Sequence, residues 1–438
     1  QYKNCQRTMM RSIFNAPATM MSTGRYCRVG SGSGVFGGGG GGPICNKTSA
    51  FKYYFSTKMN GAWPVMESPS ESSLVETEDD DDYSSSNNNN NDINGKKKII
   101  IRSIPAKMNY VTPETTLISS RRNLEGTDST LEGANWDTVE CRIHNARGKG
   151  FVLNKNGFEL VHHDISKISN NDNDNDNDND NDDIDFFNQD DVVRRYYKSC
   201  EDLITETLLK DDEYHSNNTS FQVFAFDHNV RSSNKSDEKT IKNSTGGVVQ
   251  TPVAVVHGDY TRVSAPQRLK DLSLPPKVND VLRGRLGGSN ATLLDPLQVM
   301  DATLDEEKPR RRYAFINVWR NIRKDEPIRQ YPLACVDAMT TTFNEMRLRQ
   351  IHYADRIGET YFCAHNEKHR WYYFPSMTFN EAMLIKQWDN KGGLARGSNE
   401  DTDLATMTLH CSLLDMTARP DDDRESVETR CVVIWDHE

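Results

Sequence analysis

The chain is poor in apolar residues and has no long apolar run. Hydrophobic residues make up 35% of its 438 residues, and the mean hydropathy is -0.75. Both values are low for a single globular unit, so we expect part of the chain to lie outside a packed core. No apolar run approaches the roughly 20 residues that cross a bilayer as a helix. We therefore expect a soluble protein without a membrane partner.

The chain also lacks an excess of positive charge and any closely paired cysteines. Its formal net charge is -11 at pH 7, which argues against nucleic acid as the main partner because phosphate binding requires a basic surface. The nine cysteines are odd in number and widely scattered, and none of them forms a C-x-x-C pair. This usage is typical of free thiols in a reducing compartment. We expect an intracellular protein, cytoplasmic or organellar.

Biased composition divides the chain into segments. Residues 1–66 contain no Asp or Glu but eight Lys or Arg, a composition that fits an organelle transit peptide and an unstructured tail equally well. Residues 67–130 include acidic and asparagine-rich stretches, which predict a disordered linker. We place the folded domain at 131–438. An Asn-Asp repeat at 170–182 interrupts this domain and is expected to be a disordered, solvated loop.

Short β-type segments separated by turns recur in the folded domain. They are rich in aromatic and β-branched residues and lie at 313–319, 333–336, 361–364, 371–374, 407–409 and 427–435. Apolar residues at helical intervals also predict an amphipathic helix at 191–210. Many short strands with few helices favour a mainly β fold with flanking helices, of the sandwich or jelly-roll type.

The run TPVAVVHGDYT at 251–261 contains the residues that suggest a metal site. His257 and Asp259 are two positions apart, and alternate residues of a strand face the same way, so their side chains could hold one metal ion. A third ligand must come from elsewhere, and we expect His410, in TMTLHCSLLD. Two histidines and one carboxylate on one face of an iron leave positions open for a cosubstrate and dioxygen, as in non-haem Fe(II) oxygenases.

A basic residue and a hydroxyl residue follow His410 at a spacing suited to binding an organic acid. Arg424 and Ser426 are two positions apart. A guanidinium fork with a serine hydroxyl beside it suits the distal carboxylate of a dicarboxylic acid such as 2-oxoglutarate. Arg430 would share a strand face with Arg424 and is an alternative anchor for that carboxylate.

Two other stretches offer metal-binding side chains. A second His-x-Asp pair lies at 162–164, but it runs into the Asn-Asp repeat, which favours surface polarity. The stretch 363–369 contains Cys363, His365, Glu367 and His369, which could form a zinc cluster. It coincides with a predicted hairpin turn, and turn polarity is the favoured explanation.

Five motifs together resemble those of a known family. They are NARG…GFELVHH at 145–163, VHGDYT at 256–261, FINVWRNI…PIRQYPLACVDA at 315–338, HRWYYFPSMTFNEAMLIKQWDN at 369–390 and RESVETRCVV at 424–433. From about 134 to 435 the chain is similar to the fungal AsaB/CmcJ-like hydroxylase/desaturase family. These proteins are relatives of gibberellin desaturase within the Fe(II)/2-oxoglutarate-dependent oxygenases.

The resemblance implies a fold, cofactors and a reaction. The implied fold is a double-stranded β-helix, the cupin-like form of the jelly roll. The implied cofactors are Fe(II), held by His257, Asp259 and His410, and 2-oxoglutarate. The implied reaction is the hydroxylation or desaturation of a small organic molecule, with that substrate and dioxygen as partners.

Two other functions stay open from the sequence. A catalytically silent β-barrel binding protein would keep the scaffold without the chemistry, and the intact set of ligands argues against it. A metal-dependent hydrolase on the same ligands would need a general base close to the metal-bound water. The sequence near the ligands offers no obvious residue for that role.

Overall fold

The computed structural model describes residues 63–69, 102–122, 128–166, 168, 183–210, 220–233, 249–277, 280–287, 290–304, 311–354, 356–396, 404–419 and 422–436. All of these residues fall within one compact unit, Thr57–Glu438. The Asn-Asp repeat and nearly all of the basic segment 1–66 lie outside the described residues.

The described ranges contain fifteen strands. They are β1 Ser103–Val111, β2 Leu117–Arg122, β3 Asp128–Glu132, β4 Trp136–Asn145, β5 Phe158–His162, β6 Phe221–Ser232, β7 His257–Gly258, β8 Tyr313–Asn321, β9 Leu333–Val336, β10 Met346–His352, β11 Ile357–Cys363, β12 Trp371–Tyr373, β13 Glu381–Asp389, β14 His410–Ser412 and β15 Glu425–Trp435. The α-helices are Leu153–Asn156, Gln189–Asp191, Tyr197–Leu209, Ser264–Leu272, Leu282–Arg285 and Pro296–Thr303, with a π-helical turn at Val192–Tyr196 and 3-10 turns at Ala338–Thr340 and Phe343–Glu345. None of the described helices is both long and apolar enough to cross a membrane.

The strands form two sheets. The larger has ten strands in the order β1-β4-β12-β9-β14-β7-β11-β10-β2-β3, and the smaller has five in the order β5-β13-β8-β15-β6. Neighbouring strands are antiparallel except for the pairs β10–β2 and β12–β4. The prediction of a mainly β fold with flanking helices is confirmed.

The smaller sheet is covered on both faces. All nine residues of its central strand, β8, are buried, which explains why YAFINVWRN reads as a nearly continuous apolar run. On one face, Ile316 and Val318 share a core with Tyr197 and Ile204 of the long helix. On the other face, Phe315 joins a core that includes residues of the larger sheet. The second face therefore looks into the space between the two sheets.

The folded region begins earlier than the predicted boundary at 131. Strand β1 pairs with β4 along its whole length, and Trp63 lies 6.1 Å from Trp136 between ring centroids. The linker prediction is therefore wrong for the residues of β1 and β2. The Lys- and Asn-rich composition of 87–98 dominated that prediction. The strand signal in β1 is the alternation of Ile104, Ala106 and Met108, all buried, with less buried neighbours.

Most of the predicted secondary structure is observed, with two local exceptions. Segment 407–409 precedes the strand β14 instead of forming it. The apolar run 251–256 makes only an isolated bridge, between Val255 and Asn109, and the ladder begins at His257. The backbone groups of this run bond to Asn109 instead of forming a ladder. The Asn109 carbonyl accepts from the Val256 amide at 3.0 Å, and the Asn109 side chain donates to the Ala254 carbonyl at 2.9 Å.

Candidate metal centre

Neighbouring strands of the larger sheet bring the three predicted ligands together. His257, in β7, lies directly opposite His410, in β14, and cross-strand partners have adjacent side chains. The two imidazole centroids are 4.4 Å apart. Asp259 follows β7, and its Oδ1 lies 3.7 Å from Nε2 of His257. One potential ligand atom from each of the three residues lies within 4.8 Å of the others.

Backbone carbonyl groups orient both imidazoles. Nδ1 of His257 lies 2.8 Å from the Val255 carbonyl oxygen, and Nδ1 of His410 lies 3.3 Å from the Thr408 carbonyl oxygen. A carbonyl oxygen only accepts, so Nδ1 carries the proton in each ring. This leaves the lone pair of Nε2 free to bind a metal, which is the usual arrangement of a metal-binding histidine.

The charges at the site suit a cation. Burial, together with the neighbouring His410, lowers the pKa of His257 to about 3, so this imidazole is neutral at physiological pH. Burial alone would raise the pKa of Asp259, but Arg430, the two histidines and a hydrogen bond from Asn317 outweigh it and lower that pKa. The site therefore presents a neutral imidazole and an ionised carboxylate.

The far oxygen of Asp259 is held from the smaller sheet. Nδ2 of Asn317, in β8, donates to Asp259 Oδ2 at 3.2 Å and also to Glu428 Oε1 at 2.7 Å. Nε of Arg430 lies 4.0 Å from the same Asp259 oxygen. These contacts leave Oδ1 as the oxygen that faces His257.

The predicted cosubstrate residues lie at the beginning of β15. Arg424 immediately precedes this strand and is 1% exposed. Its Nε donates to Ser426 Oγ at 3.0 Å, and its Nη1 donates to Ser412 Oγ at 2.5 Å and to the Tyr331 carbonyl at 2.8 Å. Arg424, Ser412 and the three predicted metal ligands line the same cavity.

The two arginines that sequence analysis left as alternatives differ in their partners. Arg430 lies 2.9 Å from Asp227, 3.7 Å from Glu428 and 4.0 Å from Asp259. Arg424 has no carboxylate within 4.0 Å among the residues that the structure describes. Burial and the nearby Arg231 lower the pKa of Arg424 to about 9, although the more distant Glu428 opposes this shift. Among the described residues, Arg424 is thus a buried cation with no carboxylate in contact, whereas Arg430 has three within 4.0 Å.

In the second His-x-Asp stretch, 162–164, the middle residue takes part in packing. His163 is half-buried, its Nε2 lies 2.7 Å from Ser199 Oγ, and its Nδ1 accepts from Arg320 at 3.2 Å. Asp164 accepts from the backbone and hydroxyl of Ser166. Surface polarity therefore describes His162, which is exposed, but not His163.

The prediction of turn polarity holds for Glu367, which is exposed in a turn at 367–368, but not for the buried Cys363 and His369. Glu345, Cys363 and His369 are all buried, with potential ligand atoms within 4.8 Å of one another. A carboxylate oxygen only accepts, so His369 Nε2 donates to Glu345 Oε2 at 2.8 Å. In the neutral ring, Nδ1 then accepts from the Tyr110 hydroxyl, 3.2 Å away. This hydroxyl in turn accepts from Trp371 Nε1 at 2.7 Å. His369 is therefore part of a buried hydrogen-bond chain and not of an exposed turn.

Sequence reasoning missed Glu428 and Arg231, which line the cavity, and Asn317, which contacts Asp259. Glu428 and Asn317 lie on the inner faces of predicted strands, and strand alternation with the bracketing Arg424 and Arg430 could have indicated Glu428. Asn317 sits inside an apolar run, where a buried amide is a weak signal. Arg231 lies in a polar stretch with no motif that points to the cavity.

Comparison with known proteins assigns the family. The family model described as "Oxidoreductase/YMDC permease-like domain" matches residues 108–291 and 297–434. The chain belongs to this family.

The chain is also similar to two fungal enzymes. It is 25% identical over 299 residues to the hydroxylase/desaturase efuI of Hormonema carpetanum, a match that covers 65% of this chain and 79% of efuI. It is 22% identical over 303 residues to the alpha-ketoglutarate-dependent dioxygenase phiK of Fungal sp. (strain ATCC 74256), covering 69% of this chain and 86% of phiK. The resemblance to the hydroxylase/desaturase family is confirmed.

A solved structure shares the fold of this chain. The iron and alpha-ketoglutarate-dependent endoperoxidase NvfI superposes with a TM-score of 0.51 and is 20% identical, and the match covers 76% of this chain and 98% of NvfI. The predicted jelly-roll core is confirmed by this likeness.

Proposed function

We propose that His257, Asp259 and His410 hold Fe(II), and that Arg424 and Ser426 bind the distal carboxylate of 2-oxoglutarate. The chain is an Fe(II)/2-oxoglutarate-dependent oxygenase of the hydroxylase/desaturase type, and its partners are a small-molecule substrate and dioxygen. The observation that carries the residue assignment is the cavity itself. It contains three convergent potential ligands at one position and an uncompensated buried guanidinium at another.

The three side chains fit an iron site. Two imidazoles with Nε2 free and one carboxylate are the donor set of the non-haem Fe(II) oxygenases. Hydrogen bonds from Nδ1 to backbone carbonyls fix both rings before a metal arrives. His257 and His410 come from adjacent strands of one sheet and Asp259 directly follows β7, so these three side chains would hold the ion from the same side of the cavity.

The far end of the cavity fits a carboxylate. A buried guanidinium without a counter-ion is costly in free energy, and an anion that enters the cavity relieves this cost. Arg424 is fixed by the Tyr331 carbonyl and two serine hydroxyls, so its geometry is set before binding. Arg430 already has three carboxylate neighbours, and for this reason we assign the distal carboxylate to Arg424.

The residues of the chain position the reactants. Iron and 2-oxoglutarate, when bound, supply with dioxygen the oxidising power that removes hydrogen from an unactivated C–H bond. Asn317 and Arg430 hold the far oxygen of Asp259 and direct the other oxygen to the metal. Val253 and Leu333 add apolar surface to the cavity wall, which reduces the access of water to the reaction.

The test is a metal and turnover assay. Protein purified without oxygen is loaded with Fe(II), and we expect about one iron per chain and conversion of 2-oxoglutarate to succinate that needs both iron and dioxygen. His257→Ala should lose both the iron and the succinate. His162→Ala, which changes the exposed histidine of the other His-x-Asp pair, serves as the matched control and should retain both.

Two outcomes would reject the proposal. The first is the absence of 2-oxoglutarate binding to the iron-loaded wild-type protein, which the silent binding protein predicts. The second is turnover that continues with zinc and without dioxygen, which a metal-dependent hydrolase predicts.

A further inference from the structure

The edge strand β6 contributes a third arginine, Arg231, to the cavity that Arg424 and Arg430 also line. Arg231 lines this cavity together with the three predicted metal ligands and Arg424. In the register of β6 and β15, Arg231 lies directly opposite Ser426. Cross-strand partners share a face with Cβ atoms about 4.5–5.5 Å apart, and long side chains also reach the diagonal neighbours. Arg231 is therefore adjacent to the hydroxyl that Arg424 contacts.

Among the described residues, no carboxylate is in contact with Arg231, as is the case for Arg424. The hydrogen bond of its guanidinium within the described ranges runs from Nη1 to the Thr251 carbonyl oxygen at 2.9 Å, and no described carboxylate lies within 4.0 Å of it. Burial lowers its pKa. On the same strand, Asp227 pairs with Arg430 at 2.9 Å. Glu428 and Asp259 stabilise the charge of Arg231 from a distance. The edge strand therefore places a paired arginine near Asp259 and, near Ser426, an arginine without a carboxylate in contact.

We propose that Arg231 is a second guanidinium for the distal carboxylate of the keto acid, opposite Arg424. This inference rests on the proposed function. A carboxylate has about four lone-pair positions and accepts from two guanidinium groups and a hydroxyl at once. Arg231, Ser426 and Arg424 present these donors from adjacent positions on one face. The Thr251 carbonyl holds Arg231 in place, so binding needs little reorganisation.

The position on the strands favours the cosubstrate over the substrate as the source of the carboxylate. Arg231 faces Ser426, whose hydroxyl accepts from Arg424 Nε at 3.0 Å. The iron end of the same two strands is occupied by the pair of Arg430 and Asp227. A carboxylate that reaches Arg424 therefore also comes within reach of Arg231.

The test compares two keto acids that differ in the distal carboxylate. Binding of 2-oxoglutarate and of 2-oxobutanoate, which lacks that group, is measured by calorimetry on protein loaded with Mn(II) under anaerobic conditions. We expect Arg231→Met to weaken 2-oxoglutarate about 10–100-fold, the usual effect of losing a hydrogen bond to a charged group. The affinity for 2-oxobutanoate should be unchanged. Arg231→Lys should give an intermediate loss, because it keeps the charge without the fork.

The control and the contrary results separate this inference from the proposed function. Arg142→Met, on β4 outside the cavity, should bind both keto acids like the wild type. Equal weakening of both keto acids by Arg231→Met would show that Arg231 acts through the metal or the fold, and it would overturn the inference. An unchanged 2-oxoglutarate affinity would also overturn it and would assign Arg231 to another ligand. If the wild-type protein fails to bind 2-oxoglutarate, the proposed function fails together with the inference.

Discussion

One amide nitrogen of Asn317 donates to two carboxylates, to Asp259 Oδ2 at 3.2 Å and to Glu428 Oε1 at 2.7 Å. Asn317 is fully buried in the central strand of the smaller sheet, whereas Asp259 follows a strand of the larger sheet. This contact therefore links the two sheets at the candidate metal centre. It fixes the oxygen of Asp259 that does not face His257.

We expect Asn317→Ala to weaken metal binding by about 10–100-fold, as is typical when a hydrogen-bond partner of a ligand is removed. Fe(II) affinity under anaerobic conditions, measured by competition with a chelator, checks this. Asn321→Ala is the matched control, since Asn321 is equally buried in the same strand but its side-chain amide donates to backbone carbonyls. Equal losses of metal affinity in the two variants would argue for a general effect of strand damage.

The difference between Arg424 and Arg430 predicts unequal losses of stability when either side chain is removed. Arg430→Met leaves three carboxylates without their shared cation, and we expect a loss of about 3 kcal/mol in the free energy of unfolding. Arg424→Met removes a buried cation that has no counter-ion, so we expect a loss below about 1 kcal/mol. Chemical denaturation without metal or 2-oxoglutarate measures the free energy of unfolding of both variants.

For the affinity for 2-oxoglutarate, we expect Arg424→Met to cause the larger loss and Arg430→Met the smaller one. Arg424→Met should reduce it by about 100-fold or more, because the charged group nearest the distal carboxylate is lost. If Arg424→Met binds 2-oxoglutarate normally and Arg430→Met does not, Arg430 is the anchor and our assignment is wrong.

Part of the candidate site was accessible from the sequence. The spacing of His257 and Asp259 and the spacing of Arg424 and Ser426 are local signals, because alternate residues in an extended chain share a side. The structure brings His410 to the first pair, and the role of all three as ligands stays a prediction. The strands β8, β9 and β15 were also predictable, since each has an apolar run bounded by turn residues.

Other features depend on contacts between distant segments, which the sequence does not reveal. Glu345 meets Cys363 and His369 only because of the way the chain folds around β11. Asn317 is a polar residue within an apolar strand, and only the opposing sheet gives it a function. Strand β1 follows a Lys- and Asn-rich stretch. The composition of that stretch predicts disorder, and it hid the alternation of apolar and polar residues in β1.

The buried cluster of Glu345, Cys363 and His369 should not bind metal. Its hydrogen bonds place a proton on His369 Nε2, and the Cys363 thiol donates to the Ala364 carbonyl at 3.0 Å. Burial raises the pKa of Cys363 well above its usual range, which opposes formation of the thiolate that a metal requires. We expect Cys363→Ser to leave the metal content per chain unchanged. Loss of one equivalent of zinc or iron in this variant would establish a second site.

The stability of the protein should fall in acid partly through His163. Burial and the nearby Arg320 lower the pKa of His163 from 6.5 to about 3. As the pH falls from 6.5 to 3, His163 therefore takes up a proton in the unfolded chain at a higher pH than in the folded chain. His163 therefore contributes stability above pH 6.5 that is lost as the pH falls towards 3. Relative to neutral pH, the loss at pH 5 is about 2 kcal/mol.

His163→Gln isolates this contribution, because glutamine does not titrate. The free energy of unfolding of both proteins is measured by urea denaturation at pH 7.5 and pH 5 without added metal. The difference between wild type and variant should shrink by about 2 kcal/mol at the lower pH. Other buried histidines, such as His228, whose pKa burial lowers to about 4, affect both proteins equally and cancel in this difference. Parallel losses in the two proteins would mean that His163 is protonated in the folded state, and its hydrogen bond from Arg320 would then have to be absent in solution.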